Sequence, residues 1–142
     1  MLVPDVNLLL YATIDAFERH GAARAWWEGL LSGRESVGLP LVSCLGFVRI
    51  ATNRRVFTDP MAVSDASETV RSWVARPNVS ILQPGPDHLE RVLDLLLAAG
   101  TAGNLTTDAR IAALALEHRG VVATQDGDFS RFPDVRVVNP LP

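Results

Sequence analysis

Hydrophobic positions in this chain follow two alternating rhythms. The runs Met1–Pro4, Val79–Leu82, Val121–Thr124 and Val135–Val138 are short, mostly apolar and rich in β-branched residues, which predicts buried strands. Between them, apolar residues recur every three or four positions, the period of an amphipathic helix. A short helix is predicted over Asn7–Ala12. The next carries Ala23, Trp26, Trp27, Leu30 and Leu31 on one stripe, and Gly33 closes it. From Pro40 to Asn53, Leu41, Cys44, Leu45, Val48 and Ala51 share one face, while Gly46, Arg49 and Asn53 form a polar seam on another. A helix over Val63–Ala75 follows. After Pro84-Gly85-Pro86 a further helix turns Leu89, Val92, Leu93, Leu96 and Leu97 inward, with Gly100 and Gly103 marking its exit. The last helix spans Thr107–His118, and Asp126–Phe129 reads as an acidic turn before the final strand. Strands and helices in alternation predict an α/β sandwich on a parallel sheet.

No internal repeat, low-complexity tract or change of composition interrupts this pattern. The 142 residues, 48 % of them apolar, are therefore expected to form one domain, residues 1–142, around one core. The longest uncharged stretch, Ser36–Val48, is too short to span a membrane, and the apolar start Met1–Ala12 is broken by Pro4 and Asp5 and lacks a basic leader. A soluble, cytoplasmic protein is expected. Cys44 is the single cysteine, so no internal disulfide forms; on an apolar helix it reads as a small buried hydrophobe. His20, His88 and His118 show no metal-ligand spacing and read as surface or edge residues. No nucleophile elbow and no Gly-rich phosphate loop is present.

The net charge of −3 excludes the basic field of proteins that coat nucleic acid, so a phosphate-bearing partner must be attracted locally. Acidic residues suggest how. Ligands of open α/β sheets gather beyond the carboxyl ends of the strands. Asp5 ends the first strand, Asp126 follows the strand Val121–Thr124, and Asp108 opens a helix whose start belongs to the same edge; Asn7 and Asp128 add oxygen donors. Carboxylates crowded together stay ionised only with a cation between them, and hard Mg²⁺ or Mn²⁺ takes such oxygens together with substrate phosphate. Each aspartate also has a plain structural reading: Asp5 as a helix cap, Asp108 as a complement to a helix dipole after a Thr107 cap, Asp126-Gly127 as a turn. Spacing alone leaves the two readings level.

Four segments then resemble the PIN-domain family, and within it the VapC-type ribonucleases that are the toxins of type II (VapBC) toxin–antitoxin pairs. They are Pro4-Asp5-Val6-Asn7, the stretch Phe47 to Phe57 with its Arg49, Asn53, Arg54 and Arg55, the stretch Gly103 to Ala109, and Thr124-Gln125-Asp126-Gly127-Asp128-Phe129. The resemblance implies a PIN-like, Rossmann-like three-layer sandwich with a mainly parallel sheet flanked by helices. It also implies Mg²⁺ or Mn²⁺, endonucleolytic cleavage of RNA leaving a 5′-phosphate, inhibition by a cognate VapB antitoxin, and a homodimer. Matched residue by residue, Asp5 is the family's first metal-binding aspartate, Asp108 its third acid and Asp126 its fourth; these are the expected catalytic residues. Asp128 is the additional acid and a further metal ligand, and Asn7 is the polar neighbour of the first.

The second acid is missing. Gly46 stands where many PIN domains carry Glu, three residues before Arg49, so a single ion held by Asp5, Asp108 and Asp126 is expected, with water in the vacated space. Asn7, Arg49, Arg54 and Arg55 are expected to contact RNA or the antitoxin. Arg49, placed on a mostly buried helix, calls for an anionic partner; Arg54 and Arg55 read equally as solvated charges, and Arg110 and Arg131 flank the site in sequence. Trp26 and Trp27 belong to the core or leave an apolar strip for a partner helix. Two other functions stay open. One is a PIN domain of weak catalysis acting as an RNA-binding or interaction module; the other is a haloacid-dehalogenase-like phosphatase, which needs an aspartate at the place of Asn7.

Overall fold

A computed structural model describes residues 1–142. Strands β1 (Leu2–Pro4), β2 (Val37–Pro40), β3 (Val79–Leu82), β4 (Val121–Ala123) and β5 (Val137–Val138) form one parallel sheet in the order β3-β2-β1-β4-β5. Helices α1 (Val6–Thr13), α2 (His20–Ser32), α3 (Leu41–Ala51), α4 (Val63–Val74), α5 (His88–Ala99) and α6 (Leu105–Glu117) flank it. The expected sandwich with its parallel sheet is what the chain forms. No helix is long and apolar enough to cross a membrane.

Strand order contains one reversal. From β1 the chain builds outward through β2 to β3, then returns to add β4 on the other side of β1 and β5 beyond it. The carboxyl ends of β1 and β4 therefore flank a switch point, where doubly wound sheets take their ligands. Pro4 sits at the end of β1, where its missing N–H costs the ladder least. Immediately after it, the Asp5 N–H donates to the Ala123 carbonyl at 2.9 Å, which pins Asp5 to the tip of the neighbouring strand.

β2 is the element the hydrophobic pattern does not announce. Val37-Gly38-Leu39-Pro40 shows no alternation and runs straight into α3, so strand and helix merge in the sequence. Packing favours Gly38: a Cβ there would lie 2.7 Å from Leu82 Cδ1 and 2.7 Å from the Met1 sulfur, so any side chain would require those two side chains to shift. Helix phases differ from expectation as well. On α3 the buried residues are Ser43, Cys44, Phe47 and Ala51, whereas Leu41 and Leu45 face outward. The helix is rotated because Phe47 docks on Trp73, ring centroids 4.8 Å apart, and Trp73 in turn meets Trp27 at 5.6 Å. Trp27 is thus a core residue, 3 % exposed, the first of the two readings for it, while Trp26 and Leu31 on the same stripe are half-buried.

On α5 only Val92 and Leu95 are buried, while Leu89, Leu93 and Leu97 point to solvent. This helix is apolar around most of its circumference, so the arc that is covered is set by its main neighbour, α6, and not by its own periodicity. Its exit is as expected: Gly100 (φ 79°) and Gly103 (φ 56°) adopt the left-handed conformation that glycine takes without a Cβ penalty. α6 starts at Leu105, two residues before the expected Thr107, which moves Asp108 into its first turn. Cys44 is buried as expected, and burial pushes its thiol up to about 11.

Candidate metal centre

Asp5, Asp108, Asp126 and Asp128 come together at the β1/β4 switch point. Asp5 follows β1 and is only 3 % exposed. Asp126 follows β4, stands at the head of a 3₁₀ turn (Gly127–Arg131), and accepts a hydrogen bond from the Asp128 N–H on Oδ1 at 2.9 Å. Asp108 reaches in from the first turn of α6. One carboxylate oxygen from each of Asp108, Asp126 and Asp128 lies within 4.8 Å of the others; Asp5 stands deeper, outside this closest set but within electrostatic reach of Asp108 and Asp126.

A residue without an assigned role at the sequence level ties the two strand tips together. Thr124, 2 % exposed, donates from Oγ1 to Asp5 Oδ2 at 2.8 Å and accepts from the Asp126 N–H at 2.9 Å. One hydroxyl thereby orients the Asp5 carboxylate and sets the turn that presents Asp126. The available signal was a hydroxyl residue two places before an aspartate, the pattern of a side-chain-closed turn. Asp5 occupies the cap position of α1, yet its carboxylate bonds to Thr124 and makes no cap hydrogen bond. The Val6 and Asn7 amides of the first turn of α1 nevertheless favour its charge, so the capping reading holds beside the chemical one. Asp126 does close a turn, so there too the structural and chemical readings hold together.

The electrostatics are those of a site short of positive charge. Burial pushes the Asp5 carboxyl above its ordinary value, against the Thr124 hydroxyl and the nearby Val6 and Asn7 amides, and Asp126 adds repulsion. Burial first, then the charges of Asp5, Asp126 and Asp128, push Asp108 up to about 7. Four acids from three separate parts of the chain offer only hard oxygen donors, and no side-chain cation is ion-paired with them. This donor set fits a divalent cation of the Mg²⁺ class.

Asp5 and Asp108 line a cleft of 850 Å³ between α3 and the start of α6. Asn7 is exposed on its wall, and so is Arg49, which has no anionic partner within the chain, contrary to the expectation for a buried arginine. Arg110 lines the same cleft. Arg54 and Arg55 are exposed beyond the end of α3 and do not line it, and Arg131 bonds to the Ala99 carbonyl. Gly46 faces the cleft, and a Cβ there would meet only Val6 Cγ2 at an ordinary 3.4 Å, so packing does not require the glycine. The three histidines lie elsewhere: His20 contacts the Tyr11 carbonyl, His88 pairs with Glu117, and His118 contacts the Gln83 carbonyl.

The PIN-domain family pattern matches residues 2–135. The chain belongs to the PIN-domain family. Among relatives, it is 44 % identical over 141 residues to ribonuclease VapC33 of Mycobacterium tuberculosis, covering 99 % of both chains, and 39 % identical over 136 residues to ribonuclease VapC37 of the same organism, covering 96 % of this chain and 94 % of that one. The fold is also that of VapC20 of Mycobacterium tuberculosis, a toxin described as cleaving the sarcin-ricin loop, with TM-score 0.71, 18 % identity and 96 % and 99 % coverage. VapBC2 of Rickettsia felis, solved with a promoter DNA fragment, matches with TM-score 0.69, 15 % identity and 97 % coverage of both chains. The resemblance to VapC-type PIN domains, and with it the expectation of a nuclease, is borne out. The phosphatase alternative is set aside.

Proposed function

We propose that this chain, as one PIN domain over residues 1–142, is a Mg²⁺- or Mn²⁺-dependent endoribonuclease that acts in the cytoplasm as the toxin of a VapBC pair and is held inactive by a VapB-type antitoxin. The observation that carries this reading is the convergence of four carboxylates from three separate parts of the chain, where burial and then their mutual repulsion push Asp108 up to about 7. Asp5, Asp108 and Asp126 are assigned as the catalytic acids, and Asp128 as a further metal ligand. A divalent ion bound there would lower the pKa of an attacking water and offset charge growing on the phosphate.

The chain's own groups do the rest. Thr124 holds Asp5 and the Asp126 turn in register before substrate arrives, so little reorganisation accompanies binding. Arg49 and Arg110, free of ion pairs on the cleft wall, are positioned to take backbone phosphates, with Arg49 offering the planar fork that suits them. Asn7 supplies a neutral hydrogen-bonding group at the cleft edge. Arg54 and Arg55, outside the cleft, suit contacts with the antitoxin or with RNA beyond the cut.

A second reading, a PIN domain of weak catalysis that binds RNA, rests on Gly46, which leaves the α3 wall without a carboxylate. One experiment separates the two. A structured RNA is incubated with the protein and Mg²⁺ or Mn²⁺, alongside Asp5→Asn and an EDTA control. Fragments carrying 5′-phosphates, lost in both controls, are expected; retention of RNA on the wild type without fragments would establish the binding module instead.

A further inference from the structure

Three aromatic rings form a chain at the surface beside α1 and α3. Tyr11 on α1 meets Phe17 in the loop before α2, ring centroids 4.9 Å apart and planes at 68°. Phe17 in turn meets Phe57, in the loop after α3, at 5.7 Å and 90°. Both contacts are edge to face, which fixes the rings without stacking their faces on one another. All three rings are half-buried, so each keeps some surface in water.

This chain of rings continues the acid cleft. On α1 the residues Val6, Leu8, Leu9, Leu10 and Ala12 are buried, which leaves Asn7 and Tyr11 as one accessible stripe. Asn7 lines the cleft, and Tyr11 follows one turn later, about 6 Å along the helix. On the facing side Arg49 and Ile50 line the cleft, and α3 ends at Ala51. Asn53 closes the turn that follows. Its carbonyl accepts from the Val56 and Phe57 N–H groups at 3.0 Å, and its Oδ1 accepts from the Arg55 N–H at 2.9 Å. That turn sets Phe57 against Phe17 and leaves Arg54 and Arg55 exposed, without an ion pair. Acids on the same loops belong to other surfaces: Asp15 and Asp59 line a separate cavity of 590 Å³ with Trp27 and Trp73, and Glu18 borders the terminal Leu141 and Pro142.

Aromatic rings beside unpaired arginines are the combination that holds single-stranded nucleic acid, bases stacking on the rings while the cations take phosphates. We propose that unpaired nucleotides flanking the scissile phosphate leave the acid cleft along the seam of α1 and α3, with their bases against Tyr11, Phe17 and Phe57 and their phosphates against Arg54 and Arg55. This rests on the ribonuclease reading and adds to it a subsite that selects substrates by the unpaired nucleotides beside the cut. Paired RNA keeps its bases stacked within the helix, so at this place it would retain the arginine contacts and lose the rings.

Fluorescence anisotropy with a labelled, unstructured oligoribonucleotide in EDTA reads this subsite apart from cleavage. The wild type is expected to bind the single strand ~10-fold more tightly than the same sequence annealed into a duplex. Tyr11→Leu and Phe57→Leu, which keep apolar bulk, are each expected to weaken single-strand binding by ~10-fold and duplex binding little. Arg54→Gln with Arg55→Gln is expected to weaken both and to reduce the single-strand salt slope by ~1.4, two phosphates at ~0.7 each. Thermal melts check folding. Should a ring variant misfold, photo-cross-linking of an iodouridine-substituted strand to the wild type replaces it: adducts on Tyr11 or Phe57 are expected, and adducts confined to other surfaces overturn the subsite. Equal affinity for strand and duplex, or ring variants that bind as tightly as the wild type, overturns the subsite and leaves the nuclease standing. Ring variants that lose only the binding of a VapB-type antitoxin assign the rings to that partner and overturn it as well. A wild type that neither binds nor cuts RNA overturns both readings.

Discussion

Asp108 and Glu117 occupy the first and last turns of α6, and the helix dipole ranks them the wrong way round. An acid is favoured at a helix N-terminus and disfavoured at the C-terminus, by ~0.3–1 kcal/mol each. Yet Asp108 is pushed up to about 7, by burial and by Asp5, Asp126 and Asp128, while Glu117 is held below its ordinary value. Burial pulls Glu117 upward too, but hydrogen bonds from His88 at 2.7 Å and from the Gly85 N–H at 2.8 Å, with the charges of His88 and Arg91, outweigh it. Partners decide over dipole. One end of the helix resolves its charge inside the protein; the other keeps a charge that only something from outside can resolve.

Breaking the unresolved end should have the largest effect. Asp108→Asn is expected to lower RNA cleavage by at least ~100-fold, since loss of groups that merely support metal ligands already costs 10–100-fold. The same change is expected to raise the melting temperature in EDTA at pH 8 by a few degrees, because it removes a repelled charge. A variant that loses activity and stability together would contradict the assignment. The pH dependence follows from the same residue. Its folded pKa of about 7 lies above the unfolded 3.8, so the stability it allows is fully present below 3.8 and is lost as pH rises through about 7. Wild type in EDTA should weaken over that interval, and the Asn variant, which keeps the raised Asp5, should weaken clearly less, as thermal melts across pH would show. Mn²⁺ affinity should run the other way, falling toward ~10-fold per unit below pH 7 as protons compete.

Thr124→Val keeps the shape of the side chain and removes the hydroxyl that links Asp5 to the Asp126 turn. A loss of ~10–100-fold in cleavage is expected, and weaker Mn²⁺ binding by titration should accompany it. At the resolved end, Glu117→Gln removes the carboxylate that joins α6 to the turn before α5. Denaturant unfolding should show a loss of ~1–2 kcal/mol with cleavage retained. The lowered pKa of Glu117 contributes stability that is present above the unfolded value of 4.5 and lost as pH falls through the folded one, so the variant should lack that acid limb. A large loss of cleavage in Glu117→Gln would mean that the two ends are coupled.

The contrast between these ends also explains what the sequence could reveal. Asp5 and Asp126 were legible because each follows a strand, and strand ends on a parallel sheet share an edge. Asp108 was legible by its place near a helix start. Thr124 was not, because a threonine at the end of Val121–Thr124 reads as one more β-branched strand residue until the Asp5 carboxylate is seen against it. β2 was hidden for a related reason: its glycine is favoured by the packing of Leu82 and Met1, which are distant in sequence. The leucines of α5 were assigned inward because a helix apolar on most sides carries no phase of its own, and only α6 decides which arc is covered. Glu117 and His88 lie on different helices, so their pairing left no trace in either helix's pattern.

Adding charge to the crowded end gives the smallest expected effect and the sharpest test. Gly46 faces the cleft with room for a Cβ against Val6, so Gly46→Glu can be accommodated by the backbone and would place a further carboxylate opposite Asp108. If water now fills that space, the new oxygen replaces a neutral ligand with an anionic one, and Mn²⁺ affinity at pH 8 should rise by up to ~10-fold. The same charge should destabilise the protein in EDTA at pH 8 but not at pH 4, where much of the new group is protonated in the unfolded chain as well. Tighter metal binding together with weaker folding without metal is the signature of a site that keeps its repulsion for a cation. Unchanged affinity would show that the α3 wall lies too far from the ion to contribute, and that the three acids of β1, α6 and the β4 turn define the centre without it.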